Sequence, residues 1–506
     1  MHEIELKLQV PAARRAEVEA AVAGRTPAAR LHLQAWYHDT ADRRLAAAGL
    51  ALRLRREGRR WVQTLKGAGD DGLTRAEHNV ARGAAAAMPA LAPALHAATE
   101  VGERLLALLA APPAAVLEPL YRTDIRRRTR ALPLRRPGLP PARVELAFDR
   151  GRIEAGARAL DVSELEIELL AGSPDAVIET ARRWLPRHGL WLDVRSKAER
   201  GDLLARGETV AAARAAQPLR LDPAMDAPSA WQAVLRNCAD QILANASQIA
   251  SGAHGAEHVH QLRVGLRRLR SALALFDDAG ANAALGSGAA ALFRELGAAR
   301  DRVVIEGEFG AELLAAMRAA GVADPAPAPA APGNEAAPPE LLRAPASQTW
   351  LLDLLAAMHA GAAPGEGRDA AALRERLAAR LNRWHRQVVA DATRYAGLDD
   401  AQRHRLRKRA KRLRYATEFC AALFERRAVR RYLKALRGLQ ERLGVVSDAT
   451  MAMQAYAPRA GAEPAAMFAL GWLAARREAL IGAAGPELKR FAKVERYWTK
   501  GKGKRA

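Results

Sequence analysis

Apolar and polar positions alternate with a period of two through the first two hundred residues, and a 3.6-residue period takes over after about residue 228. The segments IELKLQV, LALRLRREG, WVQTLKG, TRAEHNV, TDIRRRTRALPL, ARVELAFDRGRI and SELEIELL predict strands, several joined by glycine-containing turns such as EGRR and DRGR. Ala-rich amphipathic stretches near 11–24, 87–111 and 174–188 predict helices between them. The last opens with Ser173 as N-cap and Pro174 at the first helical position. The expected architecture is α+β and multidomain. An N-terminal antiparallel sheet domain spans 1–202, a polar Ala-rich linker 203–227, and an all-α domain 228–500, with a Pro/Ala-rich loop at 322–340 and a basic tail at 499–506.

The helical region repeats itself. HQLRVGLRRLRSALALF from His260 aligns without gaps on HRLRKRAKRLRYATEFC from His404, matching Arg263 with Arg407, Arg267 with Lys411 and Arg270 with Arg414. Each copy is followed by a second signature, LFRELGAARD or LQERLGVVSD. Two repeated helical bundles, about 228–320 and 345–500, are therefore expected to face each other across a pseudo-twofold axis. On a helix the four matched positions form one stripe, and no acidic residue lies between 258 and 276 to neutralise the first. Two such stripes suit a polyanion better than a solvated charged face.

Composition sharpens this. The chain of 506 residues carries a formal charge of +23, which attracts nucleic acid, phosphate polymers or acidic membrane surfaces. No uncharged apolar run of about 18 residues predicts a membrane span. Acidic residues at positions 3 and 5 argue against a secretory signal. Two distant cysteines, Cys238 and Cys420, fit a reducing cytoplasm. Lysine is scarce: Lys7, Lys66 and Lys197 are the three in the first 400 positions, so each marks a place where a compact ammonium is wanted.

The strands collect charge on single faces. Glu3, Glu5 and Lys7 share a face of the first strand, Arg53 and Arg55 of another, Arg75 and Glu77 of a third, and Glu164, Glu166 and Glu168 of the last. Five or more strands repeat this pattern, segregated into acidic strands and basic strands, which a closed barrel with a charged interior explains at once. Carboxylates suit a hard cation such as Mg²⁺ or Mn²⁺, and arginine and lysine suit phosphate oxygens. The combination is that of phosphoryl transfer without a GxxxxGK[ST] loop.

The ExExK of Glu3, Glu5 and Lys7, followed in order by LRLRREG, QTLKG, TRAEHNV, YRTDIRR, VELAFDRG, SELEIELL and SKAERG, resembles the CYTH, or triphosphate tunnel metalloenzyme, family over about 1–202. The resemblance implies an eight-stranded antiparallel tunnel that holds a triphosphate and divalent cations. It implies Glu3, Glu5, Glu166 and Glu168 as metal ligands or water-orienting groups, with Glu3, Glu5 and Lys7 at the catalytic centre. Lys7, Arg53, Arg55, Lys66, Arg75, Arg122, Lys197 and Arg200 would grip phosphate; Arg126 and Arg127 have ambiguous parity and are not assigned. Glu77, Glu145 and Asp149 serve either as partners of the basic residues or as further ligands. The region 228–500 resembles the CHAD family through HxLRxxxRRLR and LxxLGxxxD, which implies binding of inorganic polyphosphate along His260, Arg263, Arg267, Arg270, His404, Arg407, Lys411 and Arg414. The expected activity is metal-dependent hydrolysis of inorganic triphosphate to diphosphate and phosphate, in the cytoplasm or at polyphosphate granules, with neither membrane nor nucleic acid as partner. Two alternatives stand beside it: a non-catalytic polyphosphate-binding protein, and a nucleoside or thiamine triphosphatase or adenylate cyclase using the same tunnel.

Overall fold

The computed structural model describes residues 2–24, 28–67, 74–112, 115–135, 140–276, 280, 282–297, 309–322, 336–359 and 369–499, excepting the side chains of His2 and Arg75. Most of the expected loop at 322–340 and nearly all of the basic tail lie outside these residues. The chain packs as two compact units. One comprises Met1–Arg214, Ala239–Gln261 and Pro339–Ala360; the other comprises Ala215–Cys238, Leu262–Pro338 and Gly361–Ala506.

The first unit is built on one antiparallel sheet. Its strands are β1 (His2–Gln9), β2 (Ala29–Asp39), β3 (Leu50–Glu57), β4 (Arg60–Gly67), β5 (Thr74–Ala84), β6 (Glu118–Leu134), β7 (Ala142–Ala155), β8 (Arg158–Ala171) and β9 (Trp191–Leu192). They run in the order β5-β4-β3-β2-β6-β7-β8-β1-β9, and β1 also pairs with β5 through His2, Glu3 and Ile4, closing eight strands into a barrel. The expected count of eight is corrected to nine. Pairing of β1 with β5 stops at Ile4, and the two-residue β9 covers the remaining edge at Leu8 and Gln9.

Five helices accompany the sheet: α1 (Arg15–Ala23), α2 (Arg44–Ala47), α3 (Glu100–Ala110), α4 (Asp175–His188) and α5 (Lys197–Arg206). Alternation sends Leu6, Leu8, Leu146, Phe148, Leu165 and Ile167 to the outer face, where they are buried beneath α1 and α4. On the far side Leu50, Leu52 and Leu65 pack against Leu45 of α2 and Val101 and Leu105 of α3. The apolar face thus lies outside the barrel under helices, and the charged face lines its interior. The helix expected over 87–111 forms only from Glu100. Pro93 opens a separate 3-10 turn (Pro93–His96), and the Thr99 hydroxyl then caps α3 by accepting from the Gly102 amide. Pro174, not Ser173, is the N-cap of α4; the Ser173 hydroxyl bonds the Asp175 carboxylate instead.

An irregular connector over 207–226 leads to helices α6 (Ala227–Ala250), α7 (Ala256–Phe276), α8 (Ala283–Glu295), α9 (Gly310–Ala319), α10 (Pro338–Arg343), α11 (Pro345–His359), α12 (Ala370–Thr393), α13 (Asp400–Cys420), α14 (Arg426–Tyr456), α15 (Pro464–Ala483) and α16 (Gly485–Ala492). The two repeat helices, α7 and α13, are each 21 residues long and each place their histidine at the fifth position. In the second unit, Ala449, Ala452, Ala466 and Ala469 let α14 and α15 approach closely around Tyr456 and Leu473. Among the described residues no helix is long and apolar enough to cross a membrane.

His385 of α12 is buried against Tyr432 of α14, with Nδ1 2.9 Å from the phenol oxygen, and against the rings of Phe491 and Trp498. Burial, and then the Arg496 charge, push its imidazole down to about 4. The unfolded chain therefore takes up a proton near pH 6.5 that the native state refuses until about 4. Stability should be full above pH 6.5 and fall by about 2 kcal/mol by pH 5. Thermal denaturation against pH should show this loss in the wild type and not in His385→Phe.

Candidate active site

The interior faces of β1 to β8 surround a cavity of about 1030 Å³. Cross-strand register sorts its charges into rows. Glu145 of β7, Glu168 of β8 and Glu5 of β1 lie directly opposite one another, three carboxylates abreast. The next row is Ala147, Glu166 and Lys7, and the next Asp149, Glu164 and Gln9. Like charges placed opposite each other are unfavourable unless something neutralises them.

Helix α5 neutralises the third row. Ser196 and Glu199 form a capping box that fixes where the helix begins, and Lys197 and Arg200 of its first turn project into the cavity. Lys197 Nζ lies 2.7 Å from Asp149 and 2.8 Å from Glu166 and also pairs with Glu164; Arg200 pairs with Glu164 as well. Arg127 of β6 adds a bidentate contact to Asp149 at 2.6 Å and a further one to Glu166. Burial opposes ionisation of Glu166, yet Arg127, Lys197 and Lys7 hold its carboxyl well below the usual range. Glu164 is likewise held low by Arg200 and Lys197. Oxygens of Asp149, Glu164 and Glu166 approach within 4.8 Å of one another, a spacing that could hold a metal ion. With three cations already among them, this triad is a satisfied ionic network.

The first row is different. Burial, reinforced by Glu5, Glu145 and Glu166, raises the Glu168 carboxyl, and burial with Arg127 only partly opposing raises that of Glu145. Glu3 is pushed up to about 8 by burial and by its hydrogen bond to Glu77. Despite its own burial, Glu77 is held low by that bond and by Lys66 and Arg53. Lys66 bridges the two at 2.7 and 2.6 Å, and Lys7 pairs with Glu5. Glu168 makes no ion pair with a described residue. Among the described residues this half of the tunnel has more carboxylate than cation, and Glu3, Glu5, Glu145 and Glu168 are further oxygen donors that could hold a hard divalent ion.

Across the cavity the imbalance reverses. Arg53 bonds the Tyr37 hydroxyl at 3.0 Å, and among the described residues it pairs with no carboxylate. The Nε atoms of Arg53 and Arg55 are buried without a hydrogen-bond partner. Burial and the neighbouring Arg53 charge lower Arg55, only partly offset by its ion pair with Glu57 at 2.5 Å.

Glu3, Glu5, Lys7, Arg53, Arg55, Lys66, Glu166, Glu168, Lys197 and Arg200 are all brought to this one cavity. Glu166 stands with Arg127 and Lys197 rather than in the carboxylate-rich row. Arg75 faces Glu3 in register, and its side chain lies outside the described residues. Arg122 is a correction: it sits on the outer face of β6, half exposed and paired with Glu154 at 2.6 Å. Tyr121, Thr123 and Arg127 face inward, so Arg127 supplies the inward guanidinium of this strand. Asp149 and Glu164 were present in the sequence as same-face acids, but their convergence on Lys197 is a long-range contact with no local signal.

The repeat stripes are uneven. Arg263 is buried, donating to the Leu296 carbonyl at 2.6 Å with its guanidinium 4.4 Å from the Phe293 ring, and Arg267 lies over the same ring. Arg270 is exposed and His260 half-buried. In the second copy, Arg407 donates to Ser447 at 2.5 Å and pairs with Asp448 at 3.3 Å. Arg414 pairs with Glu418 at 2.9 Å, an acidic partner that the first copy lacks. His404 is exposed and Lys411 half-buried.

A closed antiparallel tunnel with acidic and basic walls, followed by a repeated helical region, defines a two-module protein. The chain carries a CYTH domain and a CHAD domain: the CYTH domain model matches residues 1–201 and the CHAD domain model residues 233–457. It is 28% identical over 173 residues to the inorganic triphosphatase of Haemophilus influenzae, a match covering 33% of this chain and 44% of that protein. The chain therefore spans less than half the length of that relative. It is 33% identical to the CHAD domain of Ricinus communis, covering 56% of this chain and 98% of the other, with a TM-score of 0.47. HpAC1 from Hippeastrum, described as having a dominant triphosphatase activity, is 17% identical over 41% of this chain and 97% of its own, with a TM-score of 0.28.

Gly201 of α5 lies on the Tyr121 ring, where an added Cβ would stand 2.3 Å from ring carbons. Gly201→Ala should push α5 outward and draw Lys197 and Arg200 from their carboxylates. Leaving buried charges uncompensated costs ~3–5 kcal/mol. A matching drop in unfolding free energy measured with denaturant would confirm the close approach; an unchanged value would refute it.

Proposed function

We propose that the tunnel hydrolyses inorganic triphosphate to diphosphate and phosphate with a bound Mg²⁺ or Mn²⁺, and that the helical region binds inorganic polyphosphate. What carries the first reading is the charge distribution around one cavity: among the described residues Glu168 of β8 has no ion pair, and Arg53 opposite pairs with no carboxylate while its Nε is buried without a hydrogen-bond partner. A metal–triphosphate complex supplies both missing charges. Arg53, Arg55 and Lys66 would neutralise the non-bridging oxygens, and Lys7, Arg127, Lys197 and Arg200 would fix the chain along the tunnel. Glu3, Glu5 and Glu168 would hold the cation, which when bound would polarise the phosphoryl group and lower the charge met by water. Water adds to the terminal phosphorus, the bond to the bridging oxygen breaks, and diphosphate departs with that oxygen.

An inorganic substrate is favoured because no tryptophan lines the cavity among the described residues. Trp36 and Trp61 pack against each other at a tilt, and neither lines it. Tyr37 and Tyr121 do line it, but they stack together at 4.8 Å, with Tyr37 engaged by Arg53 and Tyr121 by Gly201. Neither ring offers a free platform for a base.

Phosphate release should be measured with tripolyphosphate, ATP and thiamine triphosphate, each with Mg²⁺ or Mn²⁺. Tripolyphosphate should be the best substrate, and Glu168→Gln should lower its turnover at least ~100-fold. Full activity in both Glu3→Gln and Glu168→Gln would contradict the metal assignment. Because Glu3 keeps its proton until about pH 8, the cation must displace it, and apparent metal affinity should rise up to ~tenfold per pH unit as pH 8 is approached from below. Calorimetric titration across pH 6–9 reads this directly; a flat profile would exclude Glu3 as ligand.

For polyphosphate, the accessible members of the stripes are Arg270, His404 and Lys411. Substituting all three with glutamine should weaken retention on immobilised polyphosphate and flatten its salt dependence, while leaving tripolyphosphate turnover intact. Truncation at residue 228 is not an equivalent test, since residues 239–261 pack within the first unit and line its cavity.

A further inference from the structure

Arg43 is the one non-glycine residue with positive φ among the described residues, at φ 61° and ψ 39°. In this left-handed conformation an L side chain is penalised and glycine is not. The backbone there has no need of arginine: the Arg43 amide donates to the Thr40 carbonyl at 2.9 Å, and its carbonyl accepts from Ala47 at 3.0 Å, bonds any residue makes. The turn is imposed by Asp39, whose buried carboxylate accepts from the amides of Thr40, Leu45 and Ala46 and so fixes the start of α2. What only the side chain supplies is its reach. Arg43 Nη1 lies 3.0 Å from the Asp202 carboxylate, with both groups largely buried.

Asp202 is on α5. It follows Gly201, which lies against Tyr121, and comes two residues after Arg200; its second oxygen accepts from Arg206 at 3.1 Å. The arginine thus ties the wall of the barrel to the helix that carries Lys197 and Arg200 into it. We propose that Arg43 is a positioning residue for the triphosphate site. Held in a strained turn by Asp39, it sets through Asp202 how deeply α5 seats in the tunnel, and so where the Lys197 and Arg200 charges stand. This rests on the reading of the tunnel as a triphosphate site, and it explains why a position whose backbone suits glycine holds arginine.

The test uses the full-length protein with Arg43→Gly, Arg43→Lys and Asp202→Asn. For each, Tm, the KM and kcat for tripolyphosphate with Mg²⁺, and hydrogen exchange of the α5 amides are measured. Arg43→Gly relieves the backbone strain, so its Tm should stay equal or rise. Its KM should nevertheless rise about tenfold, and its α5 amides should exchange about tenfold faster, with other elements unchanged. Arg43→Lys should restore most of the KM, and Asp202→Asn should reproduce the Arg43→Gly exchange pattern. A merely structural residue would lower Tm and speed exchange throughout the unit, and that result overturns the proposal. So does Arg43→Gly with α5 exchange and KM both unchanged. If the wild type releases no phosphate from tripolyphosphate, the catalytic reading fails by itself, and the exchange of α5 still decides whether Arg43 seats the helix.

Discussion

The ammonium of Lys197, set among Asp149, Glu164 and Glu166, is the contact on which the first unit depends. Moving an ionised group out of water costs several kcal/mol, and attraction repays that cost only where the geometry is complete. A barrel whose interior is lined with carboxylates could not close without countercharges supplied from within. Lys197 and Arg200 come from a helix that is not part of the sheet, so closure of the barrel and seating of α5 are one event. Most apolar residues of the sheet lie outside, beneath α1, α3 and α4, while Leu33, Ile125, Ile153 and Val162 form a smaller cluster with Tyr121 and with Leu204 of α5. The cost of the charged interior is offset by that outer burial.

The chemistry of each cation follows from its position. Three carboxylates converging within 4.8 Å leave room for a compact ammonium with freely turning donors, not for a planar guanidinium. Lys66 meets the same requirement between Glu3 and Glu77. Where a single carboxylate must be gripped along two parallel bonds, arginine is used, as Arg127 on Asp149. An arginine-rich chain that keeps three lysines in its first 400 positions has placed all three in this tunnel.

The barrel was legible in the sequence because its strands alternate cleanly. In IELKLQV every second residue is apolar, and parity leaves no choice about which face is charged. The run Arg126–Arg128 carries charge on both faces, so parity could not be read there. Arg127 was left unassigned, and Arg122, one residue out of phase, was assigned inward from its motif. The outer end of β6 meets solvent, which tolerates Arg122 with Glu154 and removes the apolar marker that would have set the phase. In the helical region the repeat itself was legible, because recurrence does not depend on orientation. A stripe of spacing three and four does not say which side meets the bundle, and so the burial of Arg263 against Phe293 had no signal. Nor does helical periodicity reveal that residues 239–261 pack with the first unit.

The charge distribution of the tunnel also couples the two ligands of the proposed function. A divalent cation entering alone would relieve Glu5, Glu145 and Glu168 but add positive charge to a cavity where Arg53 and Arg55 already repel each other. A triphosphate entering alone would satisfy those guanidiniums while adding negative charge beside Glu145 and Glu168, whose carboxyls are already raised by burial and by their acidic neighbours. Each ligand lowers the electrostatic cost of the other, because each carries the charge the other leaves in excess. On the proposed function, metal and triphosphate would therefore bind with positive coupling, by the same factor in either order. Beside them, Lys197, Arg127 and Arg200 balance Asp149, Glu164 and Glu166, three positive charges against three negative, and this network holds the frame of the site.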